Sequence, residues 1–238
     1  SLIAFFGALE SGLIYGLVAL GVLISFRTLD FPDLTADGSF PLGGAVAGIS
    51  IIAGINPWLA CAFGMFAGSV AGIVTAWLHV KLGILQLLAS ILVMVALYSV
   101  NLRIMGAPNL PLLGETTVFS TLVTDGNGYW MRCLIIGVVV AAAMLFLNWF
   151  YSTETGLSMR ATGSNLRMAQ AQGINTSWMT IIGMAISNGL IALAGALFVQ
   201  TQGGADISIG IGTIVIGLAA VIIGETIIPA KRIWLITF

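Results

Sequence analysis

Long apolar runs separated by short polar breaks organise this chain from one end to the other. A helix crossing roughly 30 Å of hydrocarbon needs about 20 apolar residues at a rise of about 1.5 Å each. Runs of that kind lie at residues 2–26, 58–78, 82–105, 131–151, 178–199 and 211–228. A shorter run, residues 41–55, would be about 23 Å long as a helix. It either crosses a thinned bilayer with little tilt, or the polar stretch at 27–40 dips back into the membrane before it. The pattern predicts an all-α fold, a polytopic α-helical membrane protein of about seven spans in a single transmembrane domain over residues 1–238. Pro229–Arg232 reads as a turn and residues 233–238 as the opening of a further crossing, so at least one more span is expected beyond Phe238.

Composition agrees. Hydrophobic residues make up 59% of the 238 positions and charged ones 7%, where a soluble domain carries roughly a quarter. Membrane lipid is therefore an obligatory partner, while a net charge of −1 and the lack of any basic run argue against nucleic acid. Cys61 and Cys133 both sit in apolar surroundings and are expected to be small core residues rather than a disulfide. Ser1–Phe6 lacks the basic start of a signal peptide. Lys and Arg set the orientation. Arg27, Lys81, Arg160, Arg167, Lys231 and Arg232 fall in one set of connections, and only Arg103 and Arg132 in the other. The positive-inside rule then places the segment 153–177 in the cytoplasm and the loop 106–129 outside. All six Trp residues fall near span ends, as interfacial anchors do.

The polar positions carry the chemistry. Residues 153–177 hold Arg160 and Arg167 on a short helix-forming patch between Gly163-Ser164-Asn165 and Gly173. A compact helix held outside the lipid between two spans is there to be presented to something. Within the spans, Glu10, Asn101, Arg103, Asn148, Ser187, Asn188 and Glu225 are functional suspects, because polar groups in lipid are costly. Each either fixes helix packing through a hydrogen bond or lines a solute route. Asn188 and Glu10 are the stronger route candidates, and a Glu10–Arg103 pair is feasible by depth. Asp30, Asp33 and Asp37 crowd the break after the first run, where Pro32 and Gly38-Ser39-Phe40-Pro41 stop the helix. Ser39 is a candidate N-cap for the next helix with Pro41 early in it. Broken helices of this kind build transporter sites; a solvated turn at the membrane face is the alternative. The spacing D-x-x-D-x-x-x-D, without His or Cys, fits no metal loop. Gly64/Gly68/Gly72, Gly12/Gly16 and Gly44/Gly48 lie four residues apart, the spacing that lets helices approach closely, within one chain or across a dimer seam. No catalytic constellation and no phosphate-binding loop is present, so the chain is read as non-enzymatic and as binding no cofactor itself.

Taken together, Tyr151-Ser-Thr-Glu-Thr-Gly156, Arg160-Ala161, Asn165-Leu-Arg-Met-Ala169 and Gly173-Ile-Asn-Thr176 resemble the coupling segment of permease subunits from branched-chain amino acid ABC importers. The stretch LDFPDLTADGSFPLGG (Leu29–Gly44) is closer to the tryptophan/tyrosine-type ABC permeases. The branched-chain members carry a shorter, His-containing motif where this chain has Asp33–Ser39. The resemblance implies a multi-pass protein of the bacterial inner membrane. Its partners would be a second, identical permease subunit, a cytoplasmic ABC ATPase dimer carrying the ATP and Mg, and an extracytoplasmic solute-binding protein. The solute would be an amino acid, of the aromatic kind by subgroup. Coupling to the ATPase would fall to Arg160, Asn165, Leu166, Arg167, Met168, Ala169, Gln170, Gln172 and Gly173. The solute route would draw on Glu10, Asp30, Asp37, Ser39, Ser187 and Asn188. The rival reading is an ion-coupled secondary transporter using Glu10, Asp30 or Glu225; a purely structural membrane subunit would leave the short polar helix unexplained.

Overall fold

The structure, a computed structural model, describes residues 1–120, 126 and 128–227. Asp125, Lys231, Arg232, Trp234, the turn expected at 229–232 and the further crossing expected from 233 lie outside those residues. Helices dominate. α1 (Leu2–Val22) runs straight into a π-helical turn, Leu23–Thr28, closed by the Leu29 N–H on the Ile24 carbonyl at 3.0 Å. Asp30 then takes a left-handed φ of +50° and the chain breaks at Phe31–Leu34. α2 is Ala36–Ile52. It begins before Ser39, so the N-cap expected there is not one; Ser39 and Pro41 both lie inside the helix. Pro41 has no N–H for the Asp37 carbonyl, and Gly210, lacking a side chain, packs on that carbonyl and the proline ring.

α3 (Pro57–Leu82) starts with Pro in its first turn, capped by the Asn56 side chain, and stops at the left-handed Gly83. α4 (Gln86–Met105) stops the same way at Gly106. After the short strand β1 (Asn109–Pro111) come α5 (Gly128–Ser152), α6 (Glu154–Ser164), α7 (Leu166–Ala171), α8 (Thr176–Gln202), strand β2 (Gly204–Asp206) and α9 (Thr213–Ile227). Five helical segments are long and apolar enough to cross a membrane: Leu2–Thr28, α3, α4, α5 and α8. α2 and α9 are shorter apolar helices. The apolar run expected from 211 begins as helix only at Thr213, because Gly210 and Gly212 fall in a turn.

α8 is the central post. Its apolar stretch is 67% buried, against 28% for α4 and α5 on the outside. Glycines let it come so close. Gly68 of α3 faces the Asn188 carbonyl and Ala192, Gly72 faces the Met184 carbonyl, and Gly43 of α2 sits on the Ala192 backbone. The glycine seam on α3 thus packs within the chain, whereas Gly12 and Gly16 of α1 meet nothing within 4 Å. β1 and β2 pair antiparallel at one end of the bundle, Leu110 opposite Ala205. Asp206 turns the chain there by accepting from the Ser208 N–H and hydroxyl, bonds that hold its carboxyl below the usual range. At the other end Arg27 pairs with Glu225 at 2.9 Å, Thr28 Oγ1 meets the Tyr151 hydroxyl at 2.8 Å, and Gly163 packs on the Thr28 carbonyl. Both cysteines are free and buried.

Candidate functional site

The break between α1 and α2 is buried, and its polar side chains are tied to α8 and α3. Asp33, fully buried, accepts from its own loop at Thr35 N (2.9 Å) and from Asn188 Nδ2 (2.9 Å). Asn188 Nδ2 also donates to the Met184 carbonyl (3.1 Å), and its Oδ1 accepts from Ser39 Oγ (2.7 Å). Thr35 and Thr75 share a hydroxyl bond at 2.8 Å, and Ser187 Oγ donates to the Gly21 carbonyl at 2.7 Å. Asn188, Ser39 and Ser187 are therefore crosslinks between helices in this conformation, and both Asn188 Nδ2 hydrogens are engaged within the protein. Thr35 and Thr75 escape sequence reading. Thr75 does carry a signal, since it lies three residues beyond Gly72 on the same helix face.

A second arrangement lies close by. Asp37, in the first turn of α2, accepts the Ile214 N–H of α9 at 2.9 Å. Two short apolar helices thus begin side by side inside the molecule, the end of one satisfied by a carboxylate of the other. Gly38 packs on Met94 and Leu97, which sets this meeting point level with the middle of α4. A cavity of about 420 Å³ opens there, lined by Asp37, Met94, Tyr98, Asn101 and Ile211 among others. Asp30, by contrast, is exposed at the break and Glu10 is half-buried on α1. Glu10 does not pair with Arg103. The cation whose charge reaches it is Arg132 of α5, and Glu10 Oε1 has no hydrogen-bond partner. Arg103 sits on α4, which makes no substantial packing contact with α1. Among the described residues no group of three His, Cys, Asp or Glu could hold a metal ion.

The third arrangement is the polar segment itself. Thr153 caps α6 through the Gly156 N–H, Gly156 packs on the end of α5, and Met159 is buried against Gly183 of α8. Asn165 caps α7 by accepting the Met168 N–H at 3.1 Å, and the left-handed Gly173 (φ +82°) ends it. Asn175 then caps α8. Every turn in the segment thus has its own stop signal. On α7, Ala169 is fully buried, while Leu166, Arg167, Met168 and Gln170 are exposed. Gln172 and Gly173 are exposed just beyond it. Arg160 belongs to α6 and faces a small polar cavity with Arg27, Tyr151 and Glu225.

The chain thus carries a buried break between two helices and a capped polar helix pair between two long apolar ones. The family described as branched-chain amino acid transport system / permease component matches residues 4–232. The chain belongs to this family. Among its relatives is the tyrosine transport system permease protein of Clostridioides difficile, 41% identical over 92% of this chain and 72% of the relative. A probable branched-chain amino acid transport permease protein LivH of Methanocaldococcus jannaschii is 27% identical over 79% of this chain and 64% of that one. The galactofuranose transporter permease protein YtfT of Escherichia coli is 26% identical over 80% and 54%. No solved structure matches. The chain is thus a multi-pass membrane protein of a transport permease family whose relatives carry names spanning amino acids and sugars.

Proposed function

We propose that this chain is the membrane-spanning subunit of an ATP-driven importer for a small solute, an amino acid of the aromatic kind. α2 and α9 complete seven crossings, α6 and α7 face the cytoplasm, and a second identical chain completes the route. An extracytoplasmic binding protein delivers the solute, and a pair of cytoplasmic ATPases docks against α7. The observation that carries the reading is α7. It is a short helix with a cap at its start and a left-handed glycine two residues past its end, and it leaves Leu166, Arg167 and Met168 exposed while Ala169 anchors it. Exposed apolar and basic groups on a rigid knob suit a partner's groove. The 41% identity to a tyrosine transport permease supports the solute class. The permease needs no chemistry of its own, only two global states that nucleotide and solute bias differently.

The test is uptake of radiolabelled L-tyrosine by membrane vesicles containing the permease, its ATPase and its binding protein. Uptake should require ATP. Arg167→Glu and Met168→Glu should lower it about tenfold, in the range of a lost coupling free energy, while the protein still inserts. Both residues are exposed, so the segment itself survives the change. Parental uptake in both variants would remove α7 from the coupling, and uptake driven by an ion gradient without ATP would favour a secondary transporter.

A further inference from the structure

The cavity beside Asp37 has an electrostatic character that the transport reading does not use. Its volume of about 420 Å³ falls within the roughly 300–1,000 Å³ of small-molecule sites. Most of its wall is apolar, supplied by Pro41, Met94, Val95 and Ile211, and no Lys, Arg or His lines it. Its polar side chains are Asp37, Tyr98, Ser99 and Asn101. The Asp37 carboxylate accepts from the Ile214 N–H and is also hydrogen-bonded by the Gly212 backbone, and a carboxylate with about four lone-pair sites still has acceptor capacity left. Among the described residues the one ion pair joins Arg27 to Glu225, so Asp37 has no cation partner. At the depth of mid-α4, a carboxylate with backbone N–H partners but no cation is costly and reads as functional.

Asn101 supplies the independent observation. It is 1% exposed, lines the same cavity, and its Oδ1 has no hydrogen-bond partner. Its Nδ2 lies 3.4 Å from the Gly38 carbonyl. Turning the amide over would set two oxygens against each other, so the orientation is fixed and an acceptor is left over. A second unpartnered buried atom, Thr213 Oγ1, sits next to Ile214, the residue whose N–H Asp37 accepts. Unpaired buried polar atoms are rare enough in folded proteins to need an explanation.

We propose that this cavity binds the ammonium group of an amine-bearing solute with an apolar or aromatic body, the ammonium held by Asp37 and Asn101. This rests on the transport reading and gives it a site. An ammonium brings three donors and no acceptor, the complement of the Asp37 carboxylate and the unpaired Asn101 Oδ1. Two side-chain ligands fall short of the six or so oxygens that a bare hard cation takes. The body of the solute lies against Met94, Val95 and Ile211. The hydroxyls of Tyr98 and Ser99, which also line the cavity, can hydrogen-bond a further polar group of the solute. Binding would relieve the carboxylate at the point where α2 and α9 meet, so occupancy and the relative position of those helices are linked.

Two measurements test it. In vesicles with the ATPase and binding protein, Asp37→Asn keeps an acceptor for Ile214 but removes the charge. Tyrosine uptake at low solute should fall about tenfold or more, as expected for losing one partner of a desolvated charge pair. Tyramine, which keeps the ammonium, should compete in the parent, and 3-(4-hydroxyphenyl)propionate, which lacks it, should not. Uptake within twofold of the parent for Asp37→Asn overturns the site while leaving the transport reading intact. The second measurement needs only the permease in lipid vesicles. A Ser99→Cys variant should react roughly tenfold faster with a cationic than with an anionic methanethiosulfonate reagent, given the local field. Millimolar tyramine should slow that reaction. The parent, whose Cys61 and Cys133 are buried, supplies the background. Equal rates for both reagents with no protection by tyramine overturn the proposal, even where Asp37→Asn fails to accumulate or no uptake is seen.

Discussion

At the scale of single residues, Asn188 shows how one side chain can hold three elements. Its amide bonds Asp33 in the break, Ser39 in α2 and the Met184 carbonyl one turn back on α8. Gly72 of α3 leaves the room this needs, since a side chain there would meet Asn188 Nδ2. Asn188→Leu keeps a similar volume but leaves a buried carboxylate without its donor. A hydrogen bond to a charged group contributes about 1.5–3 kcal/mol in soluble proteins; interhelical bonds in membranes average nearer 0.6 kcal/mol. Because a carboxylate is involved, the larger figure should apply. Asn188→Leu should therefore lower the yield of monodisperse protein and its thermal midpoint in detergent. Adding Asp33→Asn, which replaces the orphaned charge, should recover part of the loss. The opposite pattern, normal yield and melting with transport abolished, would return Asn188 to the solute route.

At the scale of elements, close approach decides the packing and glycine permits it. Gly43, Gly68 and Gly72 abut the backbone or side chains of α8, whereas Gly12 faces open space. Gly43→Ala would set a methyl against the Ala192 backbone, and overpacking of this sort costs about 1–3 kcal/mol. Gly12→Ala should cost nothing and gain helix propensity. Size-exclusion profiles and melting curves of the two variants check the contrast, and a Gly43→Ala protein as stable as the parent would contradict it. The four-residue spacing at Gly64, Gly68 and Gly72 made this seam legible in advance, as the long apolar runs made the five long helices legible. The stop signals of the polar segment were equally plain, because Asn165 and Gly173 act locally. What escaped was non-local. The start of α2 was misplaced because Ser39 has the chemistry of a cap but is used by Asn188, 149 residues away. The tie between Asp37 and Ile214 spans 177 residues, and no periodicity announces it. Glu10 and Arg103 matched in depth, but pairing also needs adjacent helices, which depth alone cannot establish.

At the scale of the whole molecule, the two ends of the bundle differ in kind, and the difference carries the proposed direction of transport. One end is closed by the β1–β2 pair and the turn at Asp206–Ser208. The other gathers the ends of α1, α5 and α9 around α6, with Arg27, Glu225 and Arg160 about one polar cavity. That cavity brings Arg160 and Ser164 of α6 together with Arg27 and Glu225. The ion pair is only partly buried, with its side chains 48% and 35% exposed, so it is weak enough to break in a working cycle. For an ATPase to dock against α7, this end must face the cytoplasm. Glu115, exposed in the segment after β1, and Ser164, exposed at the end of α6, mark the two ends. A cysteine at Glu115 should react with a membrane-impermeant thiol reagent added to intact cells, and one at Ser164 should react only in inside-out vesicles. The reverse pattern would invert the molecule, put α7 beyond the reach of any nucleotide-driven partner, and turn the β1–β2 end into the side where coupling must be sought.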